Sequence, residues 1–457
     1  MNLLVRGGKV VIPYHGIKEV DIEIKDGKIV AIGKSLPAEG KQVVDADGKY
    51  VFPGVIDGHS HYGVYSDFAT DFRITSRGAA IGGVTTVINF MRSNRSYLEQ
   101  LPEEVAIAEK ESVIDFTFHL GIMTDQQLDE MKEYVERLGI TSFKLYLGYK
   151  GVEKERFGSD RIMDDELLLD IFEAMRNISP SLVLCIHCEN MDMAKHFKKK
   201  YKNVEDRHSL LYFDKYSPDI AETEAVIRTS YLASRYGCQI SIVHLSAATS
   251  VEALKQLPWV TPELVHVETC PHYLVETVDC AQGIGAVVKP PIRYQHDQDA
   301  LWEGIRDGII RFIGTDHCSV SWQNKFHAGE NIDTCKLGFG SVELMFPLML
   351  SEGYHRRGLS LQQIAELTSA NTAKVYGLYP QKGTIEVGSD GDLVIVDLDK
   401  IKTVRAAELP INSDYSIYEG REVKGWPVMT IRRGEIIAKD GTSVEPKTKG
   451  TFLRRNV

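Results

Sequence analysis

Residues 51–61 have the sequence Val-Phe-Pro-Gly-Val-Ile-Asp-Gly-His-Ser-His, an apolar run that ends in two histidines. An apolar run of this kind, at 51–56, is typical of a strand that is buried on both faces. Seven further runs follow along the chain, and together they predict eight buried strands. These seven runs lie at 85–90, 115–121, 142–147, 181–188, 239–245, 263–270 and 311–316.

Stretches with helical spacing of apolar residues separate several of these runs, for example residues 125–138, 165–176 and 222–236. Buried strands that alternate with helices indicate a parallel sheet covered on both faces. A count of eight favours a closed (β/α)8 barrel of the TIM type. A doubly wound open sheet is the alternative fold.

The two ends of the chain have a different pattern, with short strand-like runs and turn residues but without helices between them. Neither end alone buries enough apolar surface, so we predict one small β-sandwich built from residues 1–52 and 379–457. The barrel then comprises residues 53–378. The predicted sandwich strands are 2–6, 9–12, 20–25, 28–33, 42–45, 392–397, 428–432 and 435–438.

Composition excludes several classes of function. The 457 residues include 53 Lys and Arg against 64 Asp and Glu, a net charge of −11. An acidic chain without basic runs is a poor ligand for nucleic acid. The sequence has no apolar stretch typical of a signal peptide or a membrane span, and its seven cysteines are scattered and odd in number. We therefore expect a cytoplasmic protein without a nucleic-acid or membrane partner.

Histidines and an aspartate follow several of the predicted strands: His59, His61, His187, His244 and Asp316. Barrel enzymes place their active sites at the carboxyl ends of the strands. A single histidine at a strand end is more often a hydrogen-bonded core residue than a ligand. Five residues of this chemistry at one end of the same barrel instead predict a metal site.

The spacing assigns these residues to two ions. His59 and His61 are two residues apart on an extended segment, so both rings point to the same side and can chelate one ion. Asp316 can reach this ion as well. His187 and His244 end neighbouring strands and can hold a second ion.

Lys144 lies within the apolar run 142–147. A free ammonium group facing two cations in an apolar strand carries a large desolvation and repulsion cost. Carbamylation by CO₂ converts the amine into an anion with two oxygens, which can bridge two metals ~3.5–4 Å apart. The alternative is an unmodified lysine whose ammonium group reaches solvent at the strand end.

Several motifs resemble the hydantoinase/dihydropyrimidinase family of cyclic amidohydrolases, in order and over essentially the whole chain. The resemblance implies a barrel with a β-sandwich, two Zn²⁺ per subunit, carboxylated Lys144 and a homotetramer or dimer. It also implies hydrolytic opening of a cyclic amide to an N-carbamoyl amino acid. Mn²⁺, Co²⁺ or Fe²⁺ suit the same ligands. The motifs are residues 57–61, 142–149, 187–190, 244–246, 268–271, 290–293 and 315–318.

The resemblance also implies roles for single residues. Asp316 would accept a proton from the attacking hydroxide and pass it to the departing ring nitrogen. The phenol of Tyr149 would stabilise the oxyanion that develops on the carbonyl. Lys144 would bridge the metals as N6-carboxylysine, with His59, His61 and Asp316 on one ion and His187 and His244 on the other.

Two departures from the family pattern concern the substrate. Lys289 replaces a small polar residue before a Pro-Pro pair, and Gly340 stands where the family often has Asn. Lys289 would pair with an anionic substituent if it faces the pocket; the alternative is a solvated lysine at a loop edge.

Other residues near the mouth of the barrel are candidates for accessory roles. Aromatic side chains are expected to line a pocket for a ring substituent: Tyr62, Tyr65, Phe68, Phe72 and Tyr146. Residues 150–164 are expected to form a mobile loop over the site. Outer residues that orient the ligands are expected to be Glu189, His272, His317 and Cys318.

Two other functions remain open from the sequence. The first is allantoinase-, dihydroorotase- or imidase-like hydrolysis of a different cyclic amide, with acidic rings among the candidates. The second is a non-catalytic scaffold similar to the collapsin response mediators, which keep the fold but lack metal ligands. Because every ligand position is filled here, the sequence favours an enzyme.

Overall fold

The computed structural model describes residues 2–151, 158–203, 207–327 and 331–456. Strands β1 to β7 are Asn2–Arg6, Lys9–Ile12, Gly16–Glu19, Asp21–Lys25, Lys28–Gly33, Gln42–Asp45 and Tyr50–Pro53. Strands β8 to β15 are Val55–Ser60, Val84–Met91, Asp115–Gly121, Ser142–Leu145, Val183–Ile186, Gln239–Ile242, Val265–Thr269 and Phe312–Ile313. Strands β16 to β19 are Leu393–Thr403, Glu422–Arg432, Glu435–Lys439 and Thr442–Ser443.

Helices α1 to α8 are Phe68–Ile81, Tyr97–Glu111, Asp125–Asp129, Met131–Leu138, Asp165–Ile178, Met191–Lys200, Leu210–Tyr216 and Asp219–Tyr236. Helices α9 to α15 are Ala248–Gln256, Pro271–Val275, Gln295–Arg306, Trp322–Lys325, Met345–Leu348, Leu361–Ala365 and Asn371–Val375. Short 3₁₀ turns lie at Leu147–Tyr149, Gly283–Ala286, Val342–Leu344 and Ala406–Glu408. The segments Met349–Arg356 and Glu366–Ala370 are π-helical.

Strands β8 to β15 form the barrel predicted from the sequence. They are parallel and lie side by side in chain order. The first and last strands meet through a bridge between Ser60 and His317, where the His61 N–H donates to the His317 carbonyl at 2.7 Å. Sequential order with closure confirms the (β/α)8 barrel and excludes the doubly wound sheet, in which strand order reverses.

The prediction of one continuous first strand at 51–56 is wrong. Tyr50–Pro53 pairs with β16, whereas Val55–Ser60 pairs with β9 in the barrel. The chain crosses between the two sheets at Gly54, where a Cβ atom would lie 2.2 Å from Thr85 Oγ1. Only glycine fits this gap, and the apolar sequence on both sides hides the crossing.

Strands from both chain ends form two further sheets, as predicted. One sheet has the order β5-β4-β1-β6 and the other β19-β18-β17-β16-β7-β2-β3. Apolar side chains from both ends, such as Leu3, Ile22, Ile395 and Ile431, share one buried cluster. The sequence missed β3, whose side chains are mostly exposed.

The predicted helices are present with one change. Residues 125–138 form two helices separated by Glu130, whereas 165–176 and 222–236 lie within α5 and α8. Helix α5 begins after Asp164, whose carboxylate accepts from two backbone N–H groups of the first turn. Within the described ranges, none of the helices is both long and apolar enough to cross a membrane.

A buried lysine joins the barrel to the terminal sheets. Lys382 Nζ lies 2.5 Å from Asp115 Oδ2, 2.7 Å from Asp392 Oδ2 and 3.0 Å from Asp390 Oδ2. Asp115 begins barrel strand β10, and Asp392 immediately precedes β16. The ammonium group therefore compensates carboxylates that burial alone would make costly.

Asp57 forms hydrogen bonds at the point where the first and last strands close the barrel. Its Oδ1 accepts from the N–H groups of His59 at 3.1 Å and Thr315 at 3.0 Å. Its Oδ2 accepts from the hydroxyls of Ser60 and Thr315, both at 2.6 Å. Four donors thus converge on one carboxylate that is wholly buried. These bonds fix the ends of the first and last strands relative to each other.

Replacing Lys382 by Met should lower the free energy of unfolding by about 3 kcal/mol or more, because buried carboxylates lose their counter-charge. Urea denaturation of the two proteins measures the loss. Lys424→Met is the matched control, since Lys424 pairs at the surface with Asp399, and should stay within about 0.5 kcal/mol. Equal losses of unfolding free energy in the two variants would show that the buried ion pairs of Lys382 stabilise the fold no more than a surface ion pair does.

Replacing Asp57 by Asn should cost about 3 kcal/mol of stability, because an amide N–H₂ would face hydroxyl or N–H donors in a buried place. Thermal and urea unfolding measure it, with exposed Asp47→Asn as the control expected to change little. A stable Asp57→Asn variant would contradict the role of this carboxylate in closure.

Candidate active site

Three side chains converge just beyond the closing point of the barrel. His59 and His61 come from the end of β8, and Asp316 follows β15. Asp316 Oδ1 lies 3.1 Å from His59 Nε2 and 3.2 Å from His61 Nε2, and the two Nε2 atoms are 3.3 Å apart. One ligand atom from each residue therefore faces a common point.

Glu268 on β14 sets the orientation of the His59 ring. His59 Nδ1 donates to Glu268 Oε1 at 2.6 Å, so Nε2 is the atom turned toward Asp316. The same Glu268 oxygen accepts from the N–H of His244 at 3.1 Å. Burial opposes a charged His59 ring, but the carboxylates of Glu268 and Asp316 outweigh burial and raise the pKa of His59 to about 9.

The other two members of the cluster, the His61 ring and the Asp316 carboxylate, have pKa values shifted by burial and by each other. Burial lowers the pKa of His61 to about 3, although the Asp316 carboxylate acts in the opposite direction. Burial also works against the carboxylate form of Asp316, but the adjacent His59 and His61 rings hold its pKa well below the usual range. A neutral imidazole and an ionised carboxylate are the forms that bind a cation.

His187 and His244 form a second pair, with ring centroids 4.5 Å apart, and the His244 ring lies 5.4 Å from that of His59. Gly148 allows the chain to pass close to this pair, because a Cβ there would lie 2.2 Å from His187 Nε2. His244 and Asp316 both have positive φ, at 45° and 52°. Such strained backbone clusters at functional sites.

Lys144 lies on β11 and is only 1% exposed. Its Nζ lies 4.5 Å from the ring centroid of Phe90 and 5.2 Å from that of Tyr146. Burial lowers the pKa of Lys144 to about 8, against the opposing effect of Cys185, Asp316 and Glu268. The neutral amine is the form that reacts with CO₂.

The donor set suits a divalent metal. Imidazole nitrogens and a carboxylate oxygen are ligands of zinc and its neighbours, and an outer carboxylate on the free ring nitrogen is typical of such sites. His59, His61 and Asp316 supply such ligand atoms, and Glu268 is the outer carboxylate on Nδ1 of His59. The residues present therefore fit the metal ions that the sequence motifs imply.

A cleft opens onto this cluster, and five of the residues predicted for metal binding line it: His61, Lys144, His187, His244 and Asp316. Four of the residues expected to contact the substrate line it too, namely Tyr65, Tyr146, Tyr149 and Lys289. Tyr62 and Gly340 are not among its described lining residues. Gly338 lines the cleft, whereas Gly340 lies against Ile411 and Ser413.

A second cleft lies beside the first. Val64, Tyr65 and Arg92 line both of them. Tyr62 and Phe68 line the second cleft, whereas Phe72 is a core residue with no exposed surface. The aromatic residues predicted near the mouth thus divide between two clefts and the core.

The structure pairs Lys289 with a carboxylate of the chain itself. Lys289 Nζ lies 3.0 Å from Glu189 Oε2, and the same oxygen lies 3.3 Å from His187 Nε2. Glu189 also accepts a hydrogen bond from the Ser217 hydroxyl. Although burial acts against its charge, Lys289 and His187 lower the pKa of Glu189 to about 2. The charge of Lys289 is therefore largely neutralised within the protein.

The remaining outer residues have different surroundings. His317 Nδ1 accepts from the N–H groups of Ser341 and Val342, and its Nε2 pairs with Ser319 Oγ. Cys318 lines the cleft. His272 packs against Tyr273 and Phe339. Of the predicted loop 150–164, residues 152–157 lie outside the described residues.

Sequence reasoning missed three residues of the site. Glu268 belongs to a quoted motif, and its inward position on a barrel strand was an available signal. Asp57 directly follows the apolar run and lies two residues before His59. This position could have indicated a role for its carboxylate at the strand end. Arg92 follows the second barrel strand without any spacing pattern that marks it.

Comparisons with known proteins agree with this geometry. A model of the amidohydrolase family matches residues 50–437. The D-hydantoinase of Ralstonia pickettii is 34% identical over 471 residues, covering 100% of this chain and 99% of the relative. The D-hydantoinase of Geobacillus stearothermophilus is also 34% identical, covering 100% and 97%.

Solved structures give the same result. A dihydropyrimidinase from Brevibacillus agri has a TM-score of 0.90 at 30% identity, covering 100% of this chain and 99% of the other. An L-hydantoinase from Arthrobacter aurescens has a TM-score of 0.89 at 30% identity, with 99% of both chains covered. The resemblance seen in the motifs is thus confirmed over the full length. This chain belongs to the amidohydrolase family, in the group that contains the hydantoinases and dihydropyrimidinases.

Proposed function

We propose that this protein is a binuclear-metal hydrolase that opens the cyclic amide bond of a hydantoin- or dihydropyrimidine-type ring and releases an N-carbamoyl amino acid. The observation that carries the proposal is the convergence of His59, His61 and Asp316 on one point, next to a cleft that His61 and Asp316 line. Full-length similarity to hydantoinases and a dihydropyrimidinase supports the ring chemistry.

Two metal ions are part of the proposal. His59, His61 and Asp316 would hold one ion, and His187 and His244 the other. Lys144, which lies on the cleft wall with these residues, would bridge the ions as N6-carboxylysine formed with CO₂. Zn²⁺ is the proposed metal, and Mn²⁺, Co²⁺ or Fe²⁺ suit the same nitrogen and oxygen ligands.

When bound, two such ions supply a water molecule of lowered pKa and polarise the ring carbonyl. Asp316 Oδ1 faces the two histidines, so Oδ2 is left to accept a proton from the attacking water and deliver it to the departing ring nitrogen. The Tyr149 ring lies 5.5 Å from that of His187. From this place its phenol donates a hydrogen bond to the developing oxyanion.

The surroundings of these residues support the reaction in two ways. The low-dielectric surroundings strengthen each charge-assisted hydrogen bond to the reacting atoms. The carboxylates Glu268 and Glu189 hold His59 and His187 in place, so the ligands do not reorganise during the reaction.

We also propose a homotetramer or dimer in the cytoplasm. All seven cysteines are free in the structure, which suits a reducing compartment. Size-exclusion chromatography with light scattering measures the assembly directly.

The direct test uses the purified chain loaded with Zn²⁺ in bicarbonate buffer. We expect ring opening of 5-substituted hydantoins or dihydrouracil, two metal ions per chain, and loss of activity on chelation. Allantoin, dihydroorotate and simple imides serve as competing substrates. Turnover of these rings alone would instead favour an allantoinase, dihydroorotase or imidase. Well under one metal per chain with no activity on any ring would favour a scaffold.

Replacing Lys144 by Ala removes the proposed bridge. We expect metal affinity to fall by more than the roughly 10- to 100-fold that an outer ligand contact is worth. Short carboxylic acids such as acetate should restore part of the activity by filling the gap. Lys132→Ala, at a side chain that is 67% exposed, is the control and should behave as wild type. Full metal content in Lys144→Ala would contradict the bridge.

Replacing Asp316 by Asn keeps the size of the side chain but removes its basicity. If this carboxylate moves the proton, kcat should fall by about 10²- to 10⁴-fold even with metal in excess. Pre-steady-state kinetics at saturating Zn²⁺ separates this effect from weaker metal binding. A near-normal kcat would exclude Asp316 from proton transfer.

A further inference from the structure

Lys325 is a buried lysine that the proposed reaction does not use. It ends helix α12 and has no exposed surface. Its Nζ donates to the carbonyl oxygens of Val287 and Gly338, both at 2.7 Å. Burial lowers the pKa of Lys325 to about 8, although the thiols of Cys335 and Cys318 act in the opposite direction. Because a buried ammonium group is costly, its benefit lies in what these two hydrogen bonds hold.

The two carbonyls belong to segments that form one wall of the cleft beside the candidate metal site. Val287 directly precedes Val288 and Lys289, which line this cleft, and Gly338 lines it as well. These two segments are far apart in the chain, and the Gly338 N–H donates to the Val287 carbonyl at 3.0 Å. Lys325 therefore binds both sides of the junction, namely the acceptor of this hydrogen bond and the carbonyl of the residue that donates it.

A third segment is attached to the same wall. Cys318 lines the cleft, and its N–H donates to the Phe339 carbonyl at 3.0 Å. Phe339 directly follows Gly338, so the chain that leaves barrel strand β15 is also tied to this wall. Lys325 is not among the described lining residues of the cleft. Its ammonium group thus acts on the wall through the backbone and not through contact with a molecule in the cleft.

The backbone that carries Lys325 is anchored too. Its N–H donates to the Ser321 carbonyl at 2.8 Å, and its own carbonyl accepts from the Lys336 N–H at 3.2 Å. At the other end of α12, the Trp322 N–H donates to Asp414 Oδ1 at 2.6 Å. An ammonium group on an anchored segment can hold two carbonyls at a fixed separation.

We propose that Lys325 is a positioning residue for the substrate ring, because it holds the Val287 and Gly338 segments at the separation at which this wall contacts the ring. The inference rests on the proposed function. Lys325 itself touches neither the ring nor the reacting atoms. Small errors of placement matter in such a wall, since a shift of about 1 Å can lower a rate by about 100-fold.

Replacing Lys325 by Met removes the donors and keeps the length of the side chain. For the full-length, Zn²⁺-loaded enzyme we expect kcat/KM for hydantoin to fall by at least about 10-fold. Most of this loss should appear in KM, because the wall contacts the ring in the ground state and in the transition state alike. Zinc content should equal that of the wild type, since no predicted ligand is altered. Hydantoin hydrolysis and metal analysis measure these quantities.

Lys325→Gln is the conservative variant, because its amide keeps N–H donors on a shorter side chain. We expect a smaller rise in KM than in Lys325→Met, and this variant carries the test if the Met variant does not fold.

Lys382→Met is the matched control. It also removes a buried ammonium group, but one that pairs with carboxylates where the barrel meets the terminal sheets. It should lower stability while KM stays close to the wild-type value. Hydrogen exchange gives a readout apart from activity: the Gly338 amide should exchange faster in Lys325→Met than in Lys382→Met, because only the former loosens its junction with Val287.

Each alternative result decides between the proposals. An unchanged KM in both Lys325 variants overturns the inference, as does an equal rise of KM in Lys382→Met, which would show a general loss of stability. Loss of zinc from Lys325→Met also overturns it, because the effect would then pass through the metal site. These three results leave the proposed function intact. Failure of the wild-type enzyme on every ring overturns the proposed function and the inference with it.

Discussion

Closure of the barrel between its first and last strands is the constraint on which the site depends. His59 and Asp316 lie far apart in the chain and meet because β8 and β15 are neighbours in a closed ring of strands. Asp57 accepts four hydrogen bonds at the closing point of the barrel, two of them from backbone N–H groups. A slip of one residue would turn the ligands away from each other, because side chains alternate between the faces of a strand.

Two further carboxylates, those of Glu268 and Glu189, position side chains of the candidate site next to this point of closure. Glu268 fixes the ring of His59 and the backbone of His244, while Glu189 contacts His187 and neutralises Lys289. Each carboxylate lies in a buried environment where an unpaired charge would be costly. Buried hydrogen bonds of this type favour one arrangement of their members, so these carboxylates help to fix the positions of the predicted ligands.

Much of this could be predicted from the sequence. Unbroken apolar runs gave the barrel strands because both faces of a parallel sheet are covered, and histidines at strand ends marked the site because barrels gather those ends together. The crossing at Gly54 was hidden because the sequence is apolar on both sides of it. The partner of Lys289 was also hidden, because Glu189 comes from a different segment and only packing brings the two together. Arg92 had no signature, since its position depends on the loop after β9, to which Gln127 donates two hydrogen bonds.

The central claim is that the strand-end imidazoles and Asp316 hold two metal ions bridged by a modified Lys144. Anomalous X-ray diffraction at the zinc absorption edge, from crystals grown with Zn²⁺ and bicarbonate, tests it most directly. The account predicts one peak among His59, His61 and Asp316, a second beside His187 and His244, and electron density that continues past Lys144 Nζ between them. Absence of both peaks, or a bare lysine side chain next to a single ion, would contradict it.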